Sequence, residues 1–201
     1  MTVIAKISDR TAGRSDAEVI GRALRHPDEF AALFDRHHRK IYAYAGRRLG
    51  AEAADDVAAE TFLVAFDRRN TYDRSRPDAT PWLYGIAANL IARHARAEAR
   101  HLRALARTGE AHIIDWDGDA VAGRLDAAAA GKRMAAALAD LPPGEREVLL
   151  LVAWAGLSCQ DTATALAIPA GTARSRLHRA RGQMRAALNL PYPTLDNEVH
   201  D

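Results

Sequence analysis

The sequence predicts an all-α protein of two helical domains joined by a flexible linker, with a helix-turn-helix in the second domain. Hydrophobic residues make up 48% of the 201 residues, and alanine, the strongest helix former, is abundant. Apolar residues recur at spacings of three and four along much of the chain, as they do on one face of a helix. Glycine and proline fall mostly at the edges of these periodic segments, where helices begin and end.

The first domain is predicted to span residues 16–107. Its periodic segments are bounded by capping residues, glycine or proline, and they give helices near 16–25, 28–49, 51–69 and 81–107 and a polar loop over 70–78. Ser15 or Asp16 is the expected first cap. The last helix begins at Thr80 and Pro81, because proline at the first helical position loses no hydrogen bond.

An acidic linker is predicted over residues 108–123, which mix glycine, aspartate and isolated apolar residues. The second domain is predicted to span 124–190, with helices near 145–154, 158–167 and 172–188. Ser158 and Thr172 are the expected N-caps of the last two helices. We expect each domain to have its own core, formed by Phe34, Phe62, Phe66 and Leu83 in the first and by Leu141, Leu149, Leu166 and Leu177 in the second.

The charge is distributed unevenly along the chain although its formal total is only +2. The segment 93–107 has five arginines and a single acid, Glu98, and the segment 172–188 has five arginines and no acid. The linker between them is acidic. The small net charge therefore conceals two basic helices, and such helices are expected in a protein that binds nucleic acid.

The sequence predicts a soluble, cytoplasmic protein without membrane insertion. Cys159 is the single cysteine, so it has no partner for an intramolecular disulfide and no companions for a zinc site. The first residues contain no cleavable signal, and no apolar run reaches the roughly 18 residues that a membrane span requires. No cofactor or metal is expected.

The most informative pattern for function lies in residues 156–188, where a short helix, a tight turn and a longer basic helix follow in order. Such a pair presents its second helix to the major groove. Small and apolar residues form one face of that helix: Ala173, Leu177, Ala180, Met184 and Leu188. A solvated basic face is the alternative interpretation. The order of the elements, the small residues Ala163 and Ala167 at the crossing and the lack of acids favour DNA binding.

Aromatic residues and arginines lie close together in the first domain. Tyr72, Trp82 and Tyr84 stand near Arg74 and Arg93, a combination that can stack unpaired bases and neutralise phosphates. The alternative is that Trp82 and Tyr84 are core residues, and the sequence leaves that choice open.

Both domains resemble the extracytoplasmic-function sigma factors, the smallest sigma factors of bacterial RNA polymerase. Residues 138–188 resemble region four of this family through LADLPPGEREVLLL, GLSCQDTATALAIPAGT and RSRLHRARGQMR. Residues 29–100 resemble region two through AADDVAAETFLVAF and PWLYGIAANLIARHAR. The two resemblances occur in the family's order with a linker between them, which implies a factor that binds core polymerase and directs promoter recognition, melting and transcription initiation.

The resemblance implies three sets of contacts. Docking on core RNA polymerase would involve Asp55, Asp56, Glu60 and Phe62. The melted −10 element of the promoter DNA would be bound by Tyr72, Arg74, Trp82, Asn89 and Arg93. The duplex −35 element would be read by Arg174, Ser175, Arg176, His178 and Arg179. An anti-sigma factor is a further partner in the family, and the sequence does not decide whether this chain has one.

The chain departs from the family pattern at a few positions. The family often has glutamine at the position of Ala59, arginine at Ala88 and glycine at Ala167. It usually has a branched aliphatic residue at Thr162 and Ala173, so a looser core is expected in the second domain.

Other classes of function account for less of the sequence. A conventional helix-turn-helix regulator, binding duplex DNA without polymerase, would share the C-terminal pattern but would leave residues 53–96 unexplained. A protein that acts only through other proteins is a further alternative. An enzyme is not expected: His37 and His38 are adjacent on a helix and so point in different directions, and no phosphate-binding loop or activated nucleophile is evident.

Overall fold

The computed structural model describes residues 13–108 and 124–189, and within these ranges all regular secondary structure is helical. The helices are α1 (Asp16–Ala23), α2 (Ala31–Leu49), α3 (Ala51–Asp67), α4 (Thr80–Arg93), α5 (Ala95–Thr108), α6 (Arg124–Asp140), α7 (Pro143–Ala153), α8 (Cys159–Ala165) and α9 (Ala170–Leu188). Two single 3₁₀ turns cover Pro27–Phe30 and Arg69–Thr71. The all-helical class with two domains is confirmed, whereas residues 109–123 of the predicted linker lie outside the described residues.

Several helix ends follow from the capping residues seen in the sequence. Ser15 caps α1 in a full capping box, because its hydroxyl accepts from the Glu18 amide and the Glu18 carboxylate accepts from the Ser15 amide. Ser158 likewise caps α8 and accepts from the amide of Asp161 at 3.0 Å. Gly50 ends α2 with a positive φ of 91°, a conformation that favours glycine.

Two predicted boundaries were wrong. The helix expected over 81–107 is broken at His94, whose amide donates to the Ile91 carbonyl three residues back, so α5 leaves in a new direction and packs on α2. Thr172 does not cap α9. That helix begins two residues earlier at Ala170, and Pro169 occupies the cap position without a side-chain hydrogen bond.

The expectation of two separate cores was also wrong. Buried residues of both domains form one continuous cluster, because α4 packs on α8 and α5 packs on α6. The contact between α4 and α8 is close: a Cβ atom at Gly85 would overlap the carbonyl oxygen of Ala165. Most of the predicted core residues are buried or half-buried, but Phe34 is 40% exposed.

Five polar side chains that meet between the two domains form what we call the interdomain cluster. Glu98 accepts from Arg48 Nε at 2.7 Å and from Arg146 Nη1 at 3.3 Å. Arg48 Nη1 also donates to Glu147 at 2.6 Å and to the Tyr44 hydroxyl at 2.8 Å. Burial raises the pKa of Tyr44 well above its ordinary value. Two arginines and two glutamates thus balance each other away from water and join α2 and α5 to α7.

None of the helices within the described ranges has the length and hydropathy that a bilayer crossing would require.

Candidate nucleic-acid interface

Helix α9 presents a basic outer face over a buried inner face. The inner face consists of the five residues expected there, all of them buried: Ala173, Leu177, Ala180, Met184 and Leu188. On the outer face Arg174, Ser175, His178 and Arg179 are exposed, and Arg176 is half-buried. The structure therefore brings the five predicted −35 residues together on one accessible side of the helix-turn-helix.

Two of these arginines already contact the start of α7. Arg179 Nε donates to Glu145 Oε1 at 2.6 Å, and Gln183 Nε2 donates to the other oxygen of the same carboxylate at 2.8 Å. The guanidinium of Arg176 lies against Gly144. Arg174 forms no ion pair within the described part of the chain, so it is more readily available to a new partner than Arg179.

Two of the departures from the family pattern are unfavourable where they occur, one in α8 and one in the turn that follows it. Ala167 has a φ of 51°, a left-handed conformation in which a glycine is unstrained and an alanine is not. Thr162 on α8 is completely buried, and its hydroxyl has no hydrogen-bond partner among the described residues. A branched aliphatic residue at position 162 would fill the same space without burying an unsatisfied polar atom.

Tyr72, Trp82 and Asn89 line one cavity of about 290 Å³ in the first domain. The rings of Tyr72 and Trp82 are 4.9 Å apart, and Trp82 is half-buried while Asn89 is exposed. Tyr72 is only 7% exposed, and its hydroxyl donates to the Arg76 carbonyl at 2.7 Å. Burial raises the pKa of Tyr72 to about 12. The Tyr72 ring therefore packs against Trp82 from the buried side, and Trp82 is the more accessible of the two rings.

The other two residues predicted for the −10 element lie outside this cavity. Arg74 rests against Gly21 of α1, and Arg93 forms an exposed ion pair with Glu60 at 3.3 Å. Tyr84 is a core residue, since it is buried with its ring edge-on to Tyr44. That result resolves the alternative left open for Tyr84.

Most of the residues that line the cavity were not predicted as site residues. Its charged side chains are two arginines, Arg68 and Arg76, and two aspartates, Asp73 and Asp78, and Thr164 of α8 closes one side of it. Arg76 Nη1 donates to Thr164 Oγ1 at 3.2 Å, so the helix-turn-helix forms a wall of the cavity in the first domain. The polar loop over 70–78 offered a signal for Arg76, whereas nothing in the sequence indicates the approach of α8.

The predicted polymerase-binding residues divide into an exposed and a buried group. Asp55, Asp56 and Glu60 are exposed on α3. Phe62 is only 5% exposed because its ring lies edge-on beneath Phe34, with centroids 5.0 Å apart.

The apolar surface beside these acids is formed by residues for which the sequence predicted no role in docking. Leu63 is 66% exposed and Phe34 is 40% exposed. His38 stacks on the Phe34 ring at 4.4 Å and widens this surface. Phe62 supports the surface from beneath.

A buried carboxylate fixes α1 to the rest of the first domain. Asp16 accepts from His37 Nε2 at 2.8 Å, from Arg36 Nη1 at 2.9 Å and from the Ala79 amide at 3.1 Å. Burial by itself raises the pKa of Asp16, but these hydrogen bonds and the charge of His37 outweigh it and lower the pKa to about 2. Asp78 lies near both Asp16 and His37, yet the donors around Asp16 already use its oxygens, which disfavours a metal ion there.

Comparison with protein families gives two matches in chain order. Residues 33–101 match the description Sigma-70 region 2, and residues 132–184 match Sigma-70, region 4. The first range includes α3 and the residues that the first domain contributes to the Trp82 cavity, and the second includes α8 and most of α9.

Several sigma factors are similar to the chain over most of its length. The ECF RNA polymerase sigma factor SigL of Mycobacterium tuberculosis is 33% identical over 174 residues, which cover 86% of this chain and 96% of SigL. The probable RNA polymerase sigma-C factor of Mycobacterium bovis is 33% identical over 176 residues, or 86% of each chain. Among solved structures, CnrH in complex with the cytosolic domain of CnrY is 26% identical with a TM-score of 0.61, covering 88% of this chain and 99% of CnrH.

Proposed function

We propose that this chain, which belongs to the extracytoplasmic-function sigma factors of RNA polymerase, divides promoter recognition between its two domains. As a sigma factor it directs transcription initiation. In our proposal α9 reads the duplex −35 element, and the Trp82 cavity captures an unstacked base of the −10 element. The two domains carry different chemistry, and that difference is the observation that supports the division most strongly.

The basic face of α9 is suited to duplex DNA. It offers exposed arginines and no aromatic ring, a composition that suits guanine edges and phosphates in the major groove. Because Arg179 must exchange the Glu145 carboxylate for DNA, we expect Arg174 to contribute more to binding. One arginine that holds a guanine contributes about 1–3 kcal/mol and determines the preference at one base position.

The Trp82 cavity is suited to a single strand. A half-buried indole provides a stacking face, Asn89 provides an amide, and Arg68 and Arg76 provide guanidinium groups next to Asp73 and Asp78. We therefore assign base capture to Trp82 and Asn89. Tyr72 is assigned the positioning of the indole, since its hydroxyl is already bonded to the backbone.

We assign polymerase docking to the acidic residues of α3 and the apolar surface beside them. Asp55 and Asp56 are exposed, and the side chains of Phe34 and Leu63 stand in solvent without cover from the described residues. An exposed apolar patch with charges at its edge is typical of a protein interface. The sigma factor RpoE of Bartonella quintana was solved in complex with the anti-sigma factor NepR, and we propose that an anti-sigma factor is a partner of this chain as well. The chain would act in the cytoplasm, where polymerase works, and would carry out no catalytic step itself.

Footprinting on one promoter tests the division of labour. A chain with Asn89→Ala should form the closed complex with core polymerase normally and show less permanganate reactivity of melted thymines. A chain with Arg174→Ala should bind less tightly and should lose its base preference at one position of the upstream element. If both variants fail at the same step, the proposed division is wrong.

A charge reversal tests the docking surface. Asp56→Lys should weaken binding to core polymerase, because Asp56 is exposed and its loss breaks no ion pair within the described residues. Asp140→Lys is the matched control, since Asp140 is equally an exposed acid but lies in the second domain at the end of α6. Equal affinities of the two variants and the unchanged chain would contradict the assignment.

A further inference from the structure

A second cavity opens on the other side of the loop that borders the Trp82 cavity. We call it the arginine groove. It has a volume of about 620 Å³ and lies between α1 and the loop over 73–77. Four of the residues that line it are arginines, Arg14, Arg22, Arg25 and Arg74, and a single one is acidic, Glu18. Neither the sequence patterns nor the proposed division of labour gives α1 a role.

The positive charge of the arginine groove is only partly neutralised by the protein itself. Arg22 forms two hydrogen bonds with Glu29, at 2.5 and 2.7 Å, and Arg14 approaches the same carboxylate at 3.9 Å. Glu18 is engaged in the capping box. Arg25 and Arg74 form no ion pair with any described residue. Including Glu29, four guanidinium groups thus face two carboxylates, and the excess charge is positive.

The groove is held in a fixed position relative to the Trp82 cavity. The Ala17 amide donates to the Pro77 carbonyl at 3.3 Å, and Asp16 accepts from the Ala79 amide at the start of α4. The Arg74 side chain lies over Gly21 of α1 in van der Waals contact. Helix α1 and the loop are therefore joined by backbone hydrogen bonds, the Asp16 carboxylate and this contact.

Residues of the loop divide between the two cavities. Asp73 and Arg76 line the Trp82 cavity, whereas Arg74, Ser75 and Pro77 line the arginine groove. The same loop therefore borders both cavities, so a single strand that extends from the Trp82 cavity across the loop would reach the arginine groove. The groove on the far side then offers guanidinium groups, which bind phosphates with charge-assisted hydrogen bonds.

We propose that the arginine groove binds backbone phosphates of the single strand whose base occupies the Trp82 cavity. The inference rests on the proposed function of the first domain and adds α1 to its DNA-binding surface. Arg14, Arg25 and Arg74 supply the phosphate contacts, and Arg22 is kept in place by Glu29. The contacts carry no base preference, so they add affinity equally for all sequences.

Salt dependence measures the proposal directly. Core polymerase with the full chain is titrated against a fluorescein-labelled single-stranded oligonucleotide of mixed sequence at several NaCl concentrations. Each phosphate contact with a single strand contributes about 0.7 to the slope of log affinity against log salt. Arg14→Gln combined with Arg25→Gln should therefore reduce the slope by about 1.4. Arg39→Gln combined with Lys40→Gln, which removes two exposed charges from α2, should leave it unchanged.

The outcomes separate the groove from the proposed function. If the chain adds no affinity for the oligonucleotide beyond that of core polymerase alone, strand capture by the first domain is wrong. If it adds affinity and the Arg14 and Arg25 variant keeps the full slope, only the groove proposal is overturned. If the Arg14 and Arg25 variant keeps its salt slope for the oligonucleotide but binds core polymerase less tightly, the groove binds an acidic protein surface instead of DNA, and the groove proposal is wrong. Circular dichroism of each variant checks that the helices are intact.

Discussion

Replacing Glu98 with glutamine tests how strongly the interdomain cluster stabilises the fold. The Glu98 carboxylate lies between Arg48 and Arg146 and is 5% exposed, and both arginines are buried to a similar extent. Glutamine has the same shape and keeps one carbonyl oxygen, so the packing is preserved. The substitution removes one negative charge, so Glu147 becomes the one carboxylate of the interdomain cluster that faces its two buried guanidinium groups.

The expected loss follows from the burial of the groups that remain. Removing one partner of a buried ion pair typically costs about 3–5 kcal/mol, because the other charge stays desolvated without compensation. We expect the lower end of that range, about 3 kcal/mol, since glutamine still accepts one hydrogen bond and Glu147 still contacts Arg48. With a urea dependence of about 2 kcal/mol per molar, the unfolding midpoint should fall by roughly 1.5 M.

Urea unfolding followed by circular dichroism measures this loss, and the chain offers a matched control. Glu60 also pairs with an arginine, Arg93, but the two side chains are 49% and 70% exposed. An exposed pair contributes at most about 1 kcal/mol, so Glu60→Gln should hardly move the midpoint. Equal shifts for Glu98→Gln and Glu60→Gln would refute the reasoning that burial makes the cluster strong.

Three further predictions concern single side chains. Thr162→Val should raise the free energy of unfolding by about 1–2 kcal/mol, because it removes a buried hydroxyl that has no partner among the described residues. A lower melting temperature in thermal denaturation would contradict this. Ala167→Gly should stabilise by about 0.5–1 kcal/mol by relieving the left-handed conformation, whereas Ala186→Gly, at an exposed position of α9, should cost about 1 kcal/mol. The Asp16 carboxylate, whose pKa is lowered from 3.8 to about 2, should contribute about 2 kcal/mol that is present above pH 3.8 and is lost as the pH falls towards 2. Asp16→Asn should lack this contribution at neutral pH, and its free energy of unfolding should fall less steeply as the pH decreases towards 2. An equally steep fall in the variant and in the unchanged chain would refute the assignment.

Local features of the structure were predictable because their causes are local. The spacing of Ala173, Leu177 and Ala180 predicts the buried face of α9, and Ser15 and Ser158 predict their caps. The exposure of Phe34 and the burial of Phe62 were not predictable in this way. Both are aromatic and both fit a helical stripe, and only the crossing of α2 and α3 determines which ring lies above the other.

The contacts between the domains could not be read from the chain because they join residues far apart in sequence. Arg48 and Glu98 are separated by 50 positions, and Arg48 and Glu147 by 99. Each of these charges, taken alone, fits a solvated helix face. Their burial depends on the packing of α5 and α7, and no periodicity within either helix indicates it.

The position of α8 against the Trp82 cavity would link the two proposed DNA-binding surfaces thermodynamically. Thr164 and Ala165 belong to the helix-turn-helix, yet they border the cavity of the first domain. If a nucleotide can enter fully only after α8 has moved away, its apparent affinity is reduced by the fraction of molecules in which the domains are apart. Linkage is reciprocal. A partner that holds the domains apart would then raise the affinity for melted DNA, and melted DNA would raise the affinity for that partner by the same factor.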